Sequence, residues 1–267
     1  MSTTQRWSFL SVILALGIAG LFSAASALGA AVVQESKGDV RAGATPAESK
    51  PLAPNQRVPS GTVVTTAPGS RVVLRFDDGQ IVALHENTQF RIEDFRYRLQ
   101  EPEADRAMFV LLRGALRVVT GTLGKRSPDT FSLVAPQATI GIRGTDFMVV
   151  LVNPAYLSVL KGTVTATNAA GTVTFEERTL GSLANSTTLA VPVPESALPR
   201  AVASSFANLG ALPLKAGSSG GETRQPGAAA SKAKGASVSG RETSGTARDL
   251  KGEAARQRAQ DRIPSKP

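Results

Sequence analysis

The sequence predicts an all-β domain, irregular and solenoid-like or rolled, and three features predict it. β-branched residues crowd into short runs, glycines punctuate those runs, and within them apolar and polar side chains alternate. The runs are GTVVTT (61–66), RVVLRF (71–76), GALRVVTGT (114–122), GTDFMVVLV (144–152), GTVTATN (162–168) and GTVTFEERT (171–179). Their glycine starts are spaced by 53, 30, 18 and 9 residues, which excludes a regular repeat array and leaves an irregular solenoid with insertions. In GTVTATN, Val164 and Ala166 face one way and Thr163, Thr165 and Thr167 the other, so such strands have one wet face.

Taken in order, residues 1–30 read as an export segment. Arg6 is basic, Trp7 to Phe22 is apolar, and the small residues SAASALGAA follow. Cleavage after Ala27 or Ala30 fits this pattern; an uncleaved inner-membrane anchor fits the uncharged run from Trp7 to Val33. Both place the rest of the chain outside the cytoplasm, periplasmic or at the cell surface, because the positive charge precedes the apolar run. Residues 31–193 form the β domain. Within it, FDDGQ (76–80) sets Asp78-Gly79 between two apolar runs, a tight-turn signal. Asp77 and Asp78 are adjacent and should point opposite ways, which argues against a carboxylate pair. His85 is the only histidine and has no cysteine or second histidine to join in a zinc set, so it reads as structural or surface. The charged stretch FRYRLQEPEADRA (95–107) reads as a solvated loop, with Arg96, Tyr97 and Arg98 as its only candidates for gripping an anionic polymer.

The octapeptide IGIRGTDF (140–147) is the most informative stretch. Ile140, Ile142, Phe147 and Val149 suit strands with one buried face, and Gly141 and Gly144 suit backbone that a Cβ would obstruct. Gly141, Arg143, Gly144, Thr145, Asp146 and Phe147 are the candidate site, structural or interacting, with no catalytic residue among them. Residues 194–214 read as a capping helix and linker. Ser196 serves as the cap, Pro199 lies in the first turn, and Leu198, Val202, Phe206 and Leu209 share one side that would cover a sheet edge. Residues 215–267 lack large apolar side chains and read as a disordered basic tail.

The absence of cysteine excludes disulfides, thiol chemistry and a lipoprotein anchor. No cofactor or metal is expected. Charge is uneven: residues 215–267 hold 11 Lys and Arg against 5 Asp and Glu, whereas 31–214 hold 18 against 16. The tail therefore suits an anionic envelope surface, and export directs it away from nucleic acid.

The order KGDV (37–40), VPSGTVVTTAPGSRVVLRFDDGQIVALHENTQFRI (58–92), LLRGALRV (111–118), FSLVAPQATIGIRGTDFMVV (131–150) and LSVLKGTVTAT (157–167) resembles a complete FecR domain over about residues 36–185. The resemblance implies an extracytoplasmic, β-solenoid-like module. In well-known members such a module relays occupancy of an outer-membrane iron-siderophore receptor to an inner-membrane anti-sigma system. Those regulators carry a cytoplasmic sigma-binding domain before the membrane helix; here six residues precede the apolar segment. The expectation is a non-catalytic, stand-alone module that binds an envelope protein or polymer or signals through it. A structural or adhesive surface protein is the alternative, supported by the threonine-rich wet faces. A polysaccharide-active enzyme ranks last, because no convergent acid–base pair stands out.

Overall fold

The alternating runs become fifteen strands of one open, mixed sheet in a computed structural model that describes residues 31–214. The expected export segment and basic tail lie outside the described residues. The first strands are short: β1 (Ala31–Lys37), β2 (Val40–Gly43), β3 (Lys50–Pro51), β4 (Arg57–Val58), β5 (Val63–Thr66), β6 (Arg71–Phe76), β7 (Ile81–Leu84) and β8 (Gln89–Arg96). Three long strands follow, β9 (Arg106–Val119), β11 (Thr139–Leu151) and β12 (Ala155–Asn168), with a helical turn α1 (Leu123–Arg126) and β10 (Phe131–Val134) between the first two. β13 (Gly171–Phe175), β14 (Leu180–Leu183), β15 (Val191–Pro192) and helix α2 (Arg200–Gly210) complete the described chain.

Each long strand changes neighbours part-way. β9 pairs with β8 and β10 over its first half and with β7 and β11 over its second. β11 exchanges β10 for β9 while keeping β12, and β12 exchanges β14 for β13. Each exchange falls at a glycine in left-handed backbone: Gly114 (φ 90°), Gly144 (φ 60°) and Gly162 (φ 79°). That region strains any residue with a Cβ, so these glycines let three strands switch partners without breaking. Every pairing except β9–β10 is antiparallel, as short connecting turns require; the parallel coils of a solenoid are not among the pairings.

Strands from both halves feed one main core. Phe76, Phe90, Phe95, Phe109, Phe131 and Phe147 run through it with adjacent ring centroids between 4.8 and 6.4 Å apart. Burying each contributes about 1.5–3 kcal/mol. A second cluster lies on the opposite side of β6, β7, β9, β11 and β12. There Val73, Ile81, Ala83, Ala115, Met148, Val150 and Tyr156 meet Val202, Phe206 and Leu209 of α2.

Two expectations about this helix change. It lies on a sheet face, not over an edge, because those strands present apolar side chains on both sides and the outer strip needs a cover. It also begins at Arg200, after a separate 3-10 turn at Glu195–Ala197, and no side chain caps either element. A residue before proline is pushed out of helical backbone, and Leu198, before Pro199, is extended at φ −75°, ψ 132°. The wet-face reading holds for Thr163, Thr165 and Thr167, whereas Ala155–Val159 at the other end of β12 is buried on both faces.

Candidate functional site

The motif divides at a bulge. Ile140 and Ile142 enter the main core, and so do Phe147 and Val149, although the two pairs differ in sequence parity. An extra residue must restore the phase, and the register of β11 against β12 shifts between Arg143 and Asp146 and shifts back between Asp146 and Phe147, so that β12 takes up an extra residue too. Gly144 and Thr145 occupy the first shift.

Beyond it, every polar group turns to internal use. The Thr145 N–H donates to Thr120 Oγ1 at 3.0 Å, the two hydroxyls lie 3.0 Å apart, and the Thr120 N–H donates to the Thr145 carbonyl at 2.9 Å. Asp146 accepts from Arg117 Nε at 2.9 Å and Nη2 at 2.7 Å, a two-pronged pairing with both side chains mostly buried. Arg117 Nη1 then donates to the carbonyls of Leu209, Gly210 and Leu212, each at 3.1 Å. Helix C-termini leave carbonyls without partners, so Arg117 satisfies the end of α2 from a strand about ninety residues earlier. Phe147 is fully buried with its ring edge-on to Phe131.

Before the bulge, Gly141 and Arg143 face outward, and Arg143 is exposed. The two motif glycines resist a Cβ for different reasons: Gly144 sits in left-handed backbone at φ 60°, as the sequence suggested, and a Cβ on Gly141 would press on a neighbouring side chain at 2.6 Å. A Cβ on Gly144 would meet nothing within 4 Å, so the constraint there is φ, not space; on Gly141 it would meet only the Thr165 hydroxyl. The crowded glycine is Gly162, across the bulge, where a Cβ would lie 2.4 Å from the Gly144 carbonyl oxygen.

Outside the motif, the Asp78-Gly79 turn forms as expected, with the Gly79 N–H donating to the Phe76 carbonyl at 3.0 Å and Gly79 at φ 84°. Asp77 points out to Arg57. Asp78 is fully buried and does more than turn the chain: its carboxylate accepts from the N–H groups of Gln80 (2.8 Å) and Leu123 (3.1 Å), anchoring α1. Burial pushes its carboxyl above the ordinary range despite those hydrogen bonds.

The 95–107 stretch is organised by Arg126. Its guanidinium binds Asp105 at 2.7 and 2.8 Å, donates to the carbonyls of Arg98 and Leu99, and lies 4.7 Å from the centre of the Tyr97 ring. The bond to Asp105 raises the arginine above its usual value. Arg96 pairs with Asp94 and Arg98 with Glu101, so neither is a bare cation awaiting a polymer. His85 is half-buried, its imidazole kept below the usual value by burial, with Nε2 3.4 Å from the Asn208 amide. It lines a groove of about 550 Å³ beside the end of α2, shared with Lys37, Arg71 and Glu86. Among the described residues no cluster of three or more His, Cys, Asp or Glu is placed to hold a metal, and no helix is long and apolar enough to cross a membrane.

One broad surface is left uncovered. Register links Arg91, Val110, Val134, Thr139, Thr167 and Thr172 in a row across six strands, β8 to β13. Met108, Gly141, Thr165 and Thr174 share that side. Toward β13 it carries hydroxyls and small apolar groups, toward β8 the paired charges Arg91–Glu93 and Arg96–Asp94, and Arg143 lies at its margin.

The FecR protein family model matches residues 62–165. The chain carries a FecR domain. The match holds Asp78, Thr120, Arg117 and the whole motif, and it stops before β13 and α2. Two crystal structures, each described as a "putative anti-sigma factor" from Parabacteroides distasonis, are similar at 15% and 14% identity with TM-scores of 0.41. Each alignment covers 50% of this chain and 59% of the other, so the match spans little more than half of those proteins. No curated protein matches the chain.

Several working residues were not legible beforehand. Arg117 interrupts the apolar run Ala115–Val119, and a lone charge in a buried strand signals a buried partner. The change of parity between Ile142 and Phe147 announces the bulge. Nothing local marks Asp105 and Arg126 as partners.

Proposed function

We propose that this FecR domain is an extracytoplasmic, non-catalytic binding or signalling module that engages another component of the cell envelope. The observation that carries the reading is the division of the motif within the FecR match. Thr145, Asp146 and Phe147 are spent on internal structure, while Gly141 and Arg143 lie on an uncovered face whose other charges, toward β8, are paired with one another. The buried carboxylates, Asp78 and Asp105, are held by backbone N–H groups and by Arg126, an arrangement for architecture and not for proton transfer to a substrate. Export rests on Arg6 and the apolar run after it. The threonine rows favour a structural or adhesive surface protein as the second reading.

Two measurements test this. A reporter enzyme active only outside the cytoplasm, fused after Val193, should work; activity confined to a cytoplasmic reporter refutes export. Envelope extract should yield a component retained by the wild-type protein and lost with Arg143→Glu at unchanged thermal stability. Equal retention by both proteins removes the motif face from binding.

A further inference from the structure

Sheet edges present unpaired backbone groups, and proteins blunt them with brevity, charge or proline. Among the described residues four strands end the sheet: β3, β4, β13 and β15. Three are blunted. β3 is Lys50-Pro51, β15 is Val191-Pro192, and β4 is Arg57-Val58 followed by Pro59; each is two residues long. β13 is different, with five residues, GTVTF, and neither proline nor charge.

The hairpin geometry fixes what that edge offers. A two-residue turn, Ala169-Ala170, joins β12 to β13, and Asn168 faces Gly171 at its base. The pair flanking such a turn is hydrogen-bonded, and pair types then alternate along the ladder. Gly171, Val173 and Phe175 therefore spend their backbone groups on β12, while Thr172 and Thr174 aim theirs outward. The Thr167 and Thr172 hydroxyls lie 2.9 Å apart, as suits a close, non-hydrogen-bonded pair.

We infer that β13 pairs antiparallel with β13 of a second copy, about a twofold axis through Val173. The strand is self-complementary in that register. Thr172 meets Thr174 of the second copy through the outward backbone groups, and cross-strand threonine pairs are favourable. Val173 meets its own counterpart on the core side, where it is only partly buried at present. Phe175 faces the second copy's Gly171, and Glu176 faces Ala170, so no like charges are opposed. The interface is isologous, so it closes at two copies. This inference is independent of the binding role proposed above.

The test uses the full-length chain, which has no cysteine. Val173→Cys should form a disulfide-linked dimer under mild oxidation, since facing residues of a non-hydrogen-bonded pair come close enough to bridge. Ser132→Cys, on the outer face, should not. By sedimentation, the wild-type chain should show a concentration-dependent dimer. Thr172→Lys with Thr174→Lys opposes like charges twice and should abolish it, whereas Thr172→Lys with Thr174→Glu should restore it. Circular dichroism checks that the variants fold. A wild-type monomer at high concentration, equal cross-linking of both cysteine variants, or failure of the Lys/Glu pair to rescue would each overturn the inference. So would a monomer that binds an extended peptide along β13.

Discussion

The same three long strands present two unlike outer surfaces. Over the second halves of β9 and β11 and the first half of β12, the outward residues Ala115, Met148, Val150 and Tyr156 are buried under α2. Over the remaining halves the outward residues include Arg106, Met108, Val110, Thr139, Arg143, Thr163, Thr165 and Thr167, and nothing among the described residues covers them. The boundary is the line of left-handed glycines at 114, 144 and 162. One chain thus uses a change of strand partner to separate a surface committed to its own helix from one left free, and the FecR motif straddles the line.

The largest effect should come from the latch on the covered side. Asp146→Ala leaves the Arg117 guanidinium mostly buried without its carboxylate, which should cost about 3 kcal/mol by denaturant unfolding. A loss under about 0.5 kcal/mol, the range of ordinary surface changes, would mean that α2 is held by its apolar side alone. On the boundary, Gly162→Ala should cost about 3 kcal/mol, because a left-handed φ and a backbone clash add. Gly144→Ala, with open space around it, should cost only about 1–2 kcal/mol for φ. Equal losses at the two sites would show that space is not what distinguishes them.

A pH titration separates Asp78 from both surfaces. Its folded carboxyl is raised, so the native state holds the proton more tightly than the unfolded chain, where Asp titrates near about 3.9. The stability linked to that proton is complete below this value and is lost as pH rises through the folded one. Relative to Asp78→Asn, the wild-type Tm should fall as pH rises from about 4 toward neutrality. A gap that stays constant would show that folding leaves the Asp78 carboxyl unshifted, and one that widens in the wild type's favour would show it to be stabilised as an anion. The smallest effect belongs to the bare side: Thr165→Ala should change stability by less than about 0.5 kcal/mol. A larger loss would mean that the threonine rows are structural.

Much of the β architecture was legible because alternation is local. GTVTATN declares its wet side without any other part of the chain, and FDDGQ declares its turn. The motif's apolar residues were likewise placed in the core by pattern. What escaped was whatever depends on distant partners. Gly144 was legible as a position whose backbone a Cβ would strain, but only the position of Gly162 shows where a Cβ would clash with another strand. Arg117 has meaning only once α2 returns to it from more than eighty residues later. The start of α2 was misplaced because the pattern of apolar residues begins at Leu198, while Pro199 forbids helix at that residue.

The reach from Arg117 to Leu209 also bears on how the protein is made. A chain emerges from the ribosome from its amino end, and domains assemble in that order. The sheet through β12 can therefore be complete while residues 200–212 are still unmade. During that interval Ile81, Met148, Val150 and Tyr156 form a greasy strip open to solvent, beside an arginine with no carbonyls to bind. Exposed apolar surface of this kind drives aggregation. A nascent chain stopped before Leu198 should thus be a better chaperone client than one a single helix longer, and the arrival of α2, with residues 215–267 still to follow, is the step that makes the domain inert.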